Sequence, residues 1–128
     1  MYPAEKWGGK MKETVLWTNS APTSTFASQT VNLSDSMQNY KYIKIKTEYD
    51  TSQSPTASVL MSVDDVNNMT GQTIVVNLCL ASHDSAGNYI RPISFSTNTS
   101  VVFGNCLPLR STTIDNTKSI PLQVIGLK

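Results

Sequence analysis

Apolar and polar residues alternate along this chain with a period of two, and clusters of Ser, Thr, Asn, Gly and Pro cut the alternation into short runs. Successive side chains of a strand point to opposite faces of a sheet, so this period predicts strands with one buried face. The clearest case is 42–49, with Ile43, Ile45, Thr47 and Tyr49 on one side and Lys44, Lys46 and Glu48 on the other. That pattern predicts a half-buried antiparallel strand whose lysine face, flanked by Glu48 and Asp50, is wet. Val15-Leu16-Trp17 opens the series with Trp17 turned toward the core, the turn-rich 19–24 follows, and 27–33 makes a second strand. Ser34 is placed to cap a single helical turn over 34–37. Val59, Met61 and Val63 repeat the alternation before the polar run Asp64-Asp65-Val66-Asn67-Asn68, which reads as a solvated turn.

Further along, Ile74, Val76, Leu78 and Leu80 share one face while Val75, Cys79 and Ala81 share the other, which predicts a central strand covered on both sides. The stretch His83-Asp84-Ser85-Ala86-Gly87-Asn88 reads as a hairpin with Gly87-Asn88 at its tip, leading into a strand over 89–96. Pro92 cannot donate a ladder hydrogen bond, so that strand lies at an edge or carries a bulge. Val101-Val102-Phe103 and 120–127 bring the total to about eight strands, with turn signals roughly every 8 to 15 residues. Short consecutive strands without helices between them bury their apolar faces by packing sheet on sheet. The expected fold is therefore all-β, an antiparallel, jelly-roll-like β-sandwich with under about one tenth helix. Residues 1–12, with Pro3, Gly8 and Gly9, show no period and read as a leader or linker, leaving 13–128 as a single domain.

Composition sharpens this picture. The 128 residues are 39% hydrophobic and only 15% charged, with a formal net charge of +1. Ser, Thr and Asn supply the polarity instead, at about a third of the chain. Uncharged hydroxyls and amides suit strands and turns, whereas exposed helices favour Glu, Lys and Arg. The balance of charge excludes a nucleic-acid binder that works through bulk positive charge, and no apolar run reaches the roughly 20 residues of a membrane helix. The first residues hold no apolar segment of the kind found in a secretory signal. Cys79 and Cys106 could pair, but a chain of this size builds a core without a staple, and buried free thiols are expected.

Candidate chemistry is sparse. His83 is the only histidine, and a catalytic imidazole needs a third group to orient it and a site that excludes water, neither of which a polar hairpin loop provides. Asp64-Asp65 with Asn67 and Asn68 lacks the ligand spacing that wraps a Ca²⁺ ion. No acid pair for glycoside hydrolysis can be picked out, and phosphate loops, CxxC and HExxH are missing. The residues therefore predict no enzyme, no cofactor and no metal. They leave one ligand-contact candidate, the loop of His83, Asp84, Asn88 and Tyr89.

The text of 16–33, LWTNSAPTSTFASQTVNL, followed by the alternating strand at 40–45, resembles the opening of a domain widespread in tail and tail-fibre proteins of phages and prophages of Gram-positive bacteria. The close IPLQVIGLK over 120–128 is similar to that domain's last strand, with Ile125 where an aromatic is expected, and 91–103 leading to Gly104-Asn105 is similar to its penultimate hairpin. The two ends carry the resemblance. It implies a structural or host-recognition module of a virion that assembles as a homotrimer; Ser, Thr, Asn and Tyr in polar loops match the hydroxyls of a cell-surface glycan as its ligand, and the charge balance and short apolar runs predict neither nucleic acid binding nor membrane insertion. It also implies a place in the phage tail, or in the bacterial cytoplasm before assembly. Members usually follow a longer fibre region, so this chain is expected to be a separate small protein, a fragment, or a domain kept by bacteria for another use. The alternatives are a purely structural virion or head/tail decoration protein and a bacterial carbohydrate-binding module. Segment 120–127 adds its own argument for assembly. Ile120, Leu122 and Val124 oppose Ile125 and Leu127, and an isolated sandwich buries one face of a strand, so the second face is expected to meet a partner copy.

Overall fold

A computed structural model describes residues 11–52, 55–69, 76–81 and 88–128, with the backbone alone for 68–69 and 76–81. The strands are β1 (Glu13–Thr18), β2 (Gln29–Asn32), β3 (Tyr42–Asp50), β4 (Thr56–Ser62), β5 (Val76–Ala81), β6 (Asn88–Ser94), β7 (Ser100–Phe103), the two-residue β8 (Leu107–Pro108) and β9 (Lys118–Leu127). They form two antiparallel sheets, one ordered β1-β9-β3-β4 and the other β2-β7-β6-β5, with β8 paired to β6. This is the expected all-β sandwich. Its first two strands pair with late ones, β1 with β9 and β2 with β7, as in a jelly roll, while β3–β4 and β5–β6 are hairpins within single sheets. Ile43, Ile45 and Val124 from one sheet and Val31, Ile93 and Phe103 from the other lie in one buried cluster. Trp17, half-buried, leans on Phe26 and Phe103 with ring centroids 6.0 and 5.8 Å away. Among the described residues no helix is long and apolar enough to cross a membrane.

Several expectations are corrected by the sheet order. β5 ends its sheet instead of lying at the centre, and its side chains fall outside the described residues. β6 is interior, yet it accommodates Pro92. Gly104 N–H donates to the Pro92 carbonyl at 2.8 Å, so the proline nitrogen points the same way, into the gap between β7, which ends at Phe103, and β8, which starts at Leu107. The ladder is already broken where the missing donor would have been needed.

The run Asp64-Asp65-Val66-Asn67 is not a turn but part of a helix, α1 (Val63–Met69), the one α-helix of the described residues. Ser62 Oγ accepts the Asp65 N–H at 3.1 Å, the bond an N-cap makes, and Val63 and Val66 turn into the core three residues apart. The other helical piece is a 3-10 turn at Met37–Asn39, capped by Ser36, not Ser34.

Glu48, assigned to the wet face of β3, is 1% exposed. Here the β3–β9 register slips, with Leu122 as the extra residue between the pairs Lys46–Gln123 and Thr47–Pro121, and simple alternation no longer sorts wet from dry. The second face of β9 is likewise covered within one chain. Ile125 lies opposite Val15 and Lys44, and Leu127 opposite Glu13 and Tyr42. An ion pair of 2.8 Å from Lys44 on β3 to Glu13 on β1 spans the strand between them, leaving Ile125 and Leu127 only 5% and 8% exposed. No partner copy is needed to cover this strand, so the argument for a subunit interface along it falls.

Candidate functional site

The expected contact loop divides. His83 and Asp84 lie outside the described residues. Asn88 is exposed at the start of β6, and its carbonyl accepts the Leu109 N–H at 2.7 Å. Tyr89 is engaged in packing between the sheets: its ring meets Tyr49 edge-on at 6.1 Å, and Lys118 Nζ sits 5.6 Å from Tyr89 and 4.7 Å from Tyr49. Lys118 also reaches Asp50 Oδ2 at 3.5 Å. Tyr89 is half-buried in this arrangement.

A groove of about 370 Å³ opens at another place, lined by Gln38, Tyr40, Lys41, Tyr42, Ser62, Val63, Asp64 and Asn67. Three elements meet there, namely the 3-10 turn, the start of β3 and the β4–α1 junction. Their junctions are stitched by backbone bonds, Lys41 N–H to the Leu127 carbonyl and Val63 N–H to the Lys41 carbonyl, both 2.8 Å. Asp35 fixes the turn from behind, accepting from Ser36 N–H at 2.8 Å, Asn39 Nδ2 at 2.8 Å and the Tyr40 hydroxyl at 3.0 Å. These bonds, led by the one from Tyr40, hold the Asp35 carboxyl below its ordinary pKa. Burial, and then the bond to Asp35, raise that of the Tyr40 phenol. The Tyr40 ring lies flat against Gly126, where a Cβ would stand 2.5 Å from its Cδ1. Only glycine admits the ring there.

Across the mouth, Gln38 and Asn67 bond reciprocally: Gln38 Nε2 donates to Asn67 Oδ1, and Asn67 Nδ2 donates to Gln38 Oε1 at 3.2 Å. Gln38 Nε2 also reaches Asn98 Oδ1 at 3.3 Å. Both amides are exposed, so each retains capacity for a ligand. The lining thus offers phenol, amide, hydroxyl, ammonium and carboxylate groups on a frame of regular elements. Among the described residues it holds one carboxylate, Asp64.

In the sequence, Asp64 and Asn67 were weighed only as Ca²⁺ ligands and set aside, and the other groove residues were not singled out for binding. A usable signal was present: Ser62 followed three residues later by Asp65, with apolar Val63 and Val66 between and after, is the signature of a helix start. A helix at that point turns Asn67 back toward the 3-10 turn. Among the described residues, three polar or reactive groups elsewhere are buried. Cys106 is a buried free thiol whose pKa burial pushes up to about 11. Glu48 has both carboxyl oxygens unpartnered, and burial, with Asp50 nearby, raises its pKa. Arg91, 0% exposed, donates Nε to the Ser119 carbonyl at 2.7 Å, Nη1 to Gly104 at 2.7 Å and Nη2 to Lys118 at 3.1 Å. Its guanidinium also lies 5.3 Å from the Phe26 ring centre.

No protein-family model matches this chain, and no curated protein sequence matches it.

Proposed function

We propose that this domain is a non-enzymatic recognition module of the phage or prophage tail-fibre kind, and that the groove between the 3-10 turn and α1 binds a glycan. One observation carries the reading: a polar groove, rich in amide and phenol groups, whose walls are held by backbone and carboxylate bonds. Sugar hydroxyls need paired donors and acceptors, and exposed Gln38 and Asn67 supply both from each side chain. A wall already fixed by Asp35, the Ser62 cap and Gly126 costs little ordering when a ligand enters. The phage attribution rests on the likeness of 16–33 and 120–128 to tail-fibre domains.

The non-enzymatic part rests on the groove's single carboxylate, since glycoside hydrolysis ordinarily uses two flanking the bond. Glu48, at 1% exposure, is closed to a substrate.

A glycan array with the wild-type chain and the Asn67→Ala variant tests this. Asn67 is exposed and its side chain bonds only to Gln38 among the described residues, so the variant keeps the fold. Binding to a defined set of bacterial surface glycans, weakened about tenfold or more in the variant, is expected, the equivalent of one lost ligand hydrogen bond. A blank array would leave a purely structural virion role as the better reading.

A further inference from the structure

On the reading of the groove as a glycan site, on which this rests, we propose that the groove selects sugars carrying an acetamido group, and that Gln38 and Asn67 bind that group's amide from opposite walls.

Gln38 stands on the 3-10 turn and Asn67 on α1, and their carboxamides meet across the groove mouth in a reciprocal pair. Each spends one donor and one acceptor on the other, and both are exposed. A ligand group seated between them has to replace both kinds of bond, because a polar group covered without a partner is costly. A carboxylate or phosphate offers acceptors alone and sets its charge against the two amide oxygens. An ammonium offers donors alone and leaves the two NH₂ groups unmatched. A lone hydroxyl both donates and accepts, but it rotates about its C–O bond and favours no orientation. A planar trans amide carries its carbonyl and its N–H on opposite edges. Between two facing carboxamides it accepts from one and donates to the other at the same time.

The rest of the groove fits a neutral group of this kind. Lys41 and Asp64 in the lining carry opposite charges, so neither an anionic nor a cationic sugar is favoured by net charge. Gln38 Nε2 also donates to Asn98 Oδ1 at 3.3 Å, and the Asn98 carbonyl accepts the Met37 N–H at 2.8 Å. Gln38 therefore keeps its orientation when its bonds to Asn67 are exchanged for bonds to a ligand. Tyr42, half-buried in the same lining, offers its ring to the acetyl methyl.

The test is titration of the full chain, followed in ¹H–¹⁵N correlation spectra, with glucose, galactose and mannose, each against its 2-acetamido counterpart, and with N-acetylglycine N-methylamide as an amide that has no sugar ring. At least one acetamido sugar is expected to bind about tenfold or more tighter than its plain partner, shifting the side-chain NH₂ signals of Gln38 and Asn67. Asn67→Leu, similar in size but without donor or acceptor, should bring that preference down to about twofold or less. Equal affinities within every pair would overturn the acetamido assignment and leave the glycan groove standing, whereas binding of no sugar would overturn both. If the ringless amide binds as tightly as the sugars, the site reads peptide and the assignment falls. Should Asn67→Leu not fold, the wild-type NH₂ signals decide: movement with acetamido sugars alone supports the assignment, and equal movement with both members of each pair refutes it.

Discussion

At the scale of the residue, the feature that organises this molecule is a buried cation solvated by backbone. Arg91 has no carboxylate within ion-pair distance among the described residues, and the carbonyls of 104, 118 and 119 take its protons instead. Successive carbonyls of an extended strand point to opposite sides, so two neighbours cannot ordinarily serve one guanidinium. Ser119 solves this with a left-handed backbone, φ 48°. Its hydroxyl is buried without a partner, and Ser119→Gly, which removes both the hydroxyl and the Cβ strain, is expected to stabilise the fold by about 1 kcal/mol in urea denaturation. Arg91→Met strands three carbonyls and is expected to cost about 3 kcal/mol in the same measurement. Glu48 gives a prediction in pH. Its folded pKa is raised above the ordinary 4.5, so the folded state keeps the proton to higher pH than the unfolded chain. Below that ordinary value both states are protonated and nothing is lost; as pH rises through it toward the folded pKa, stability falls. Glu48→Gln should match the wild type in acid and exceed it at pH 7, and parallel stability curves would contradict this. Neither residue was legible in the pattern of side chains. Arg91 is served by carbonyls, which leave no trace there, and Glu48 keeps perfect alternation while the slip that buries it occurs on a different strand.

At the scale of the element, strands were legible wherever alternation and turn residues agreed. The segments at 15–17, 42–49, 101–103 and 120–127 fall within β1, β3, β7 and β9. Their order was not, because position in a sheet depends on pairing between distant strands; β5, read as central from apolar residues on both of its faces, ends its sheet. α1 was missed because two turns of helix leave only Val63, Val66 and Met69 to show a helical period, and the surrounding Asp and Asn residues suit turns equally well. The groove went unseen with it, since Asn67 reaches Gln38 only on a helix. The element most tightly tied to the groove from outside is β9, through Gly126. Gly126→Ala would drive a methyl into the Tyr40 ring, and a loss of about 1–3 kcal/mol in thermal or urea unfolding is expected. Glycan affinity should fall as well, because the displaced ring is part of the groove wall. Unchanged stability would mean that the ring moves aside freely.

For the whole molecule, the sandwich keeps its packed core apart from the polar groove proposed to bind a glycan. Each sheet spends one face on a common core, the ion pair from Lys44 to Glu13 seals the centre of the outer face of one sheet, and the polar groups left over gather where the 3-10 turn meets α1. The low charge of the chain fits this division, since its surface is carried by Ser, Thr and Asn. The central claim is that a glycan sits in that groove, and the most direct measurement is a ¹H–¹⁵N correlation titration with the strongest glycan from the array. The account predicts shifts concentrated at residues 38–42 and 62–67, including the side-chain amides of Gln38 and Asn67. Shifts confined to residues 83–89, or an unperturbed spectrum at saturating glycan, would contradict it.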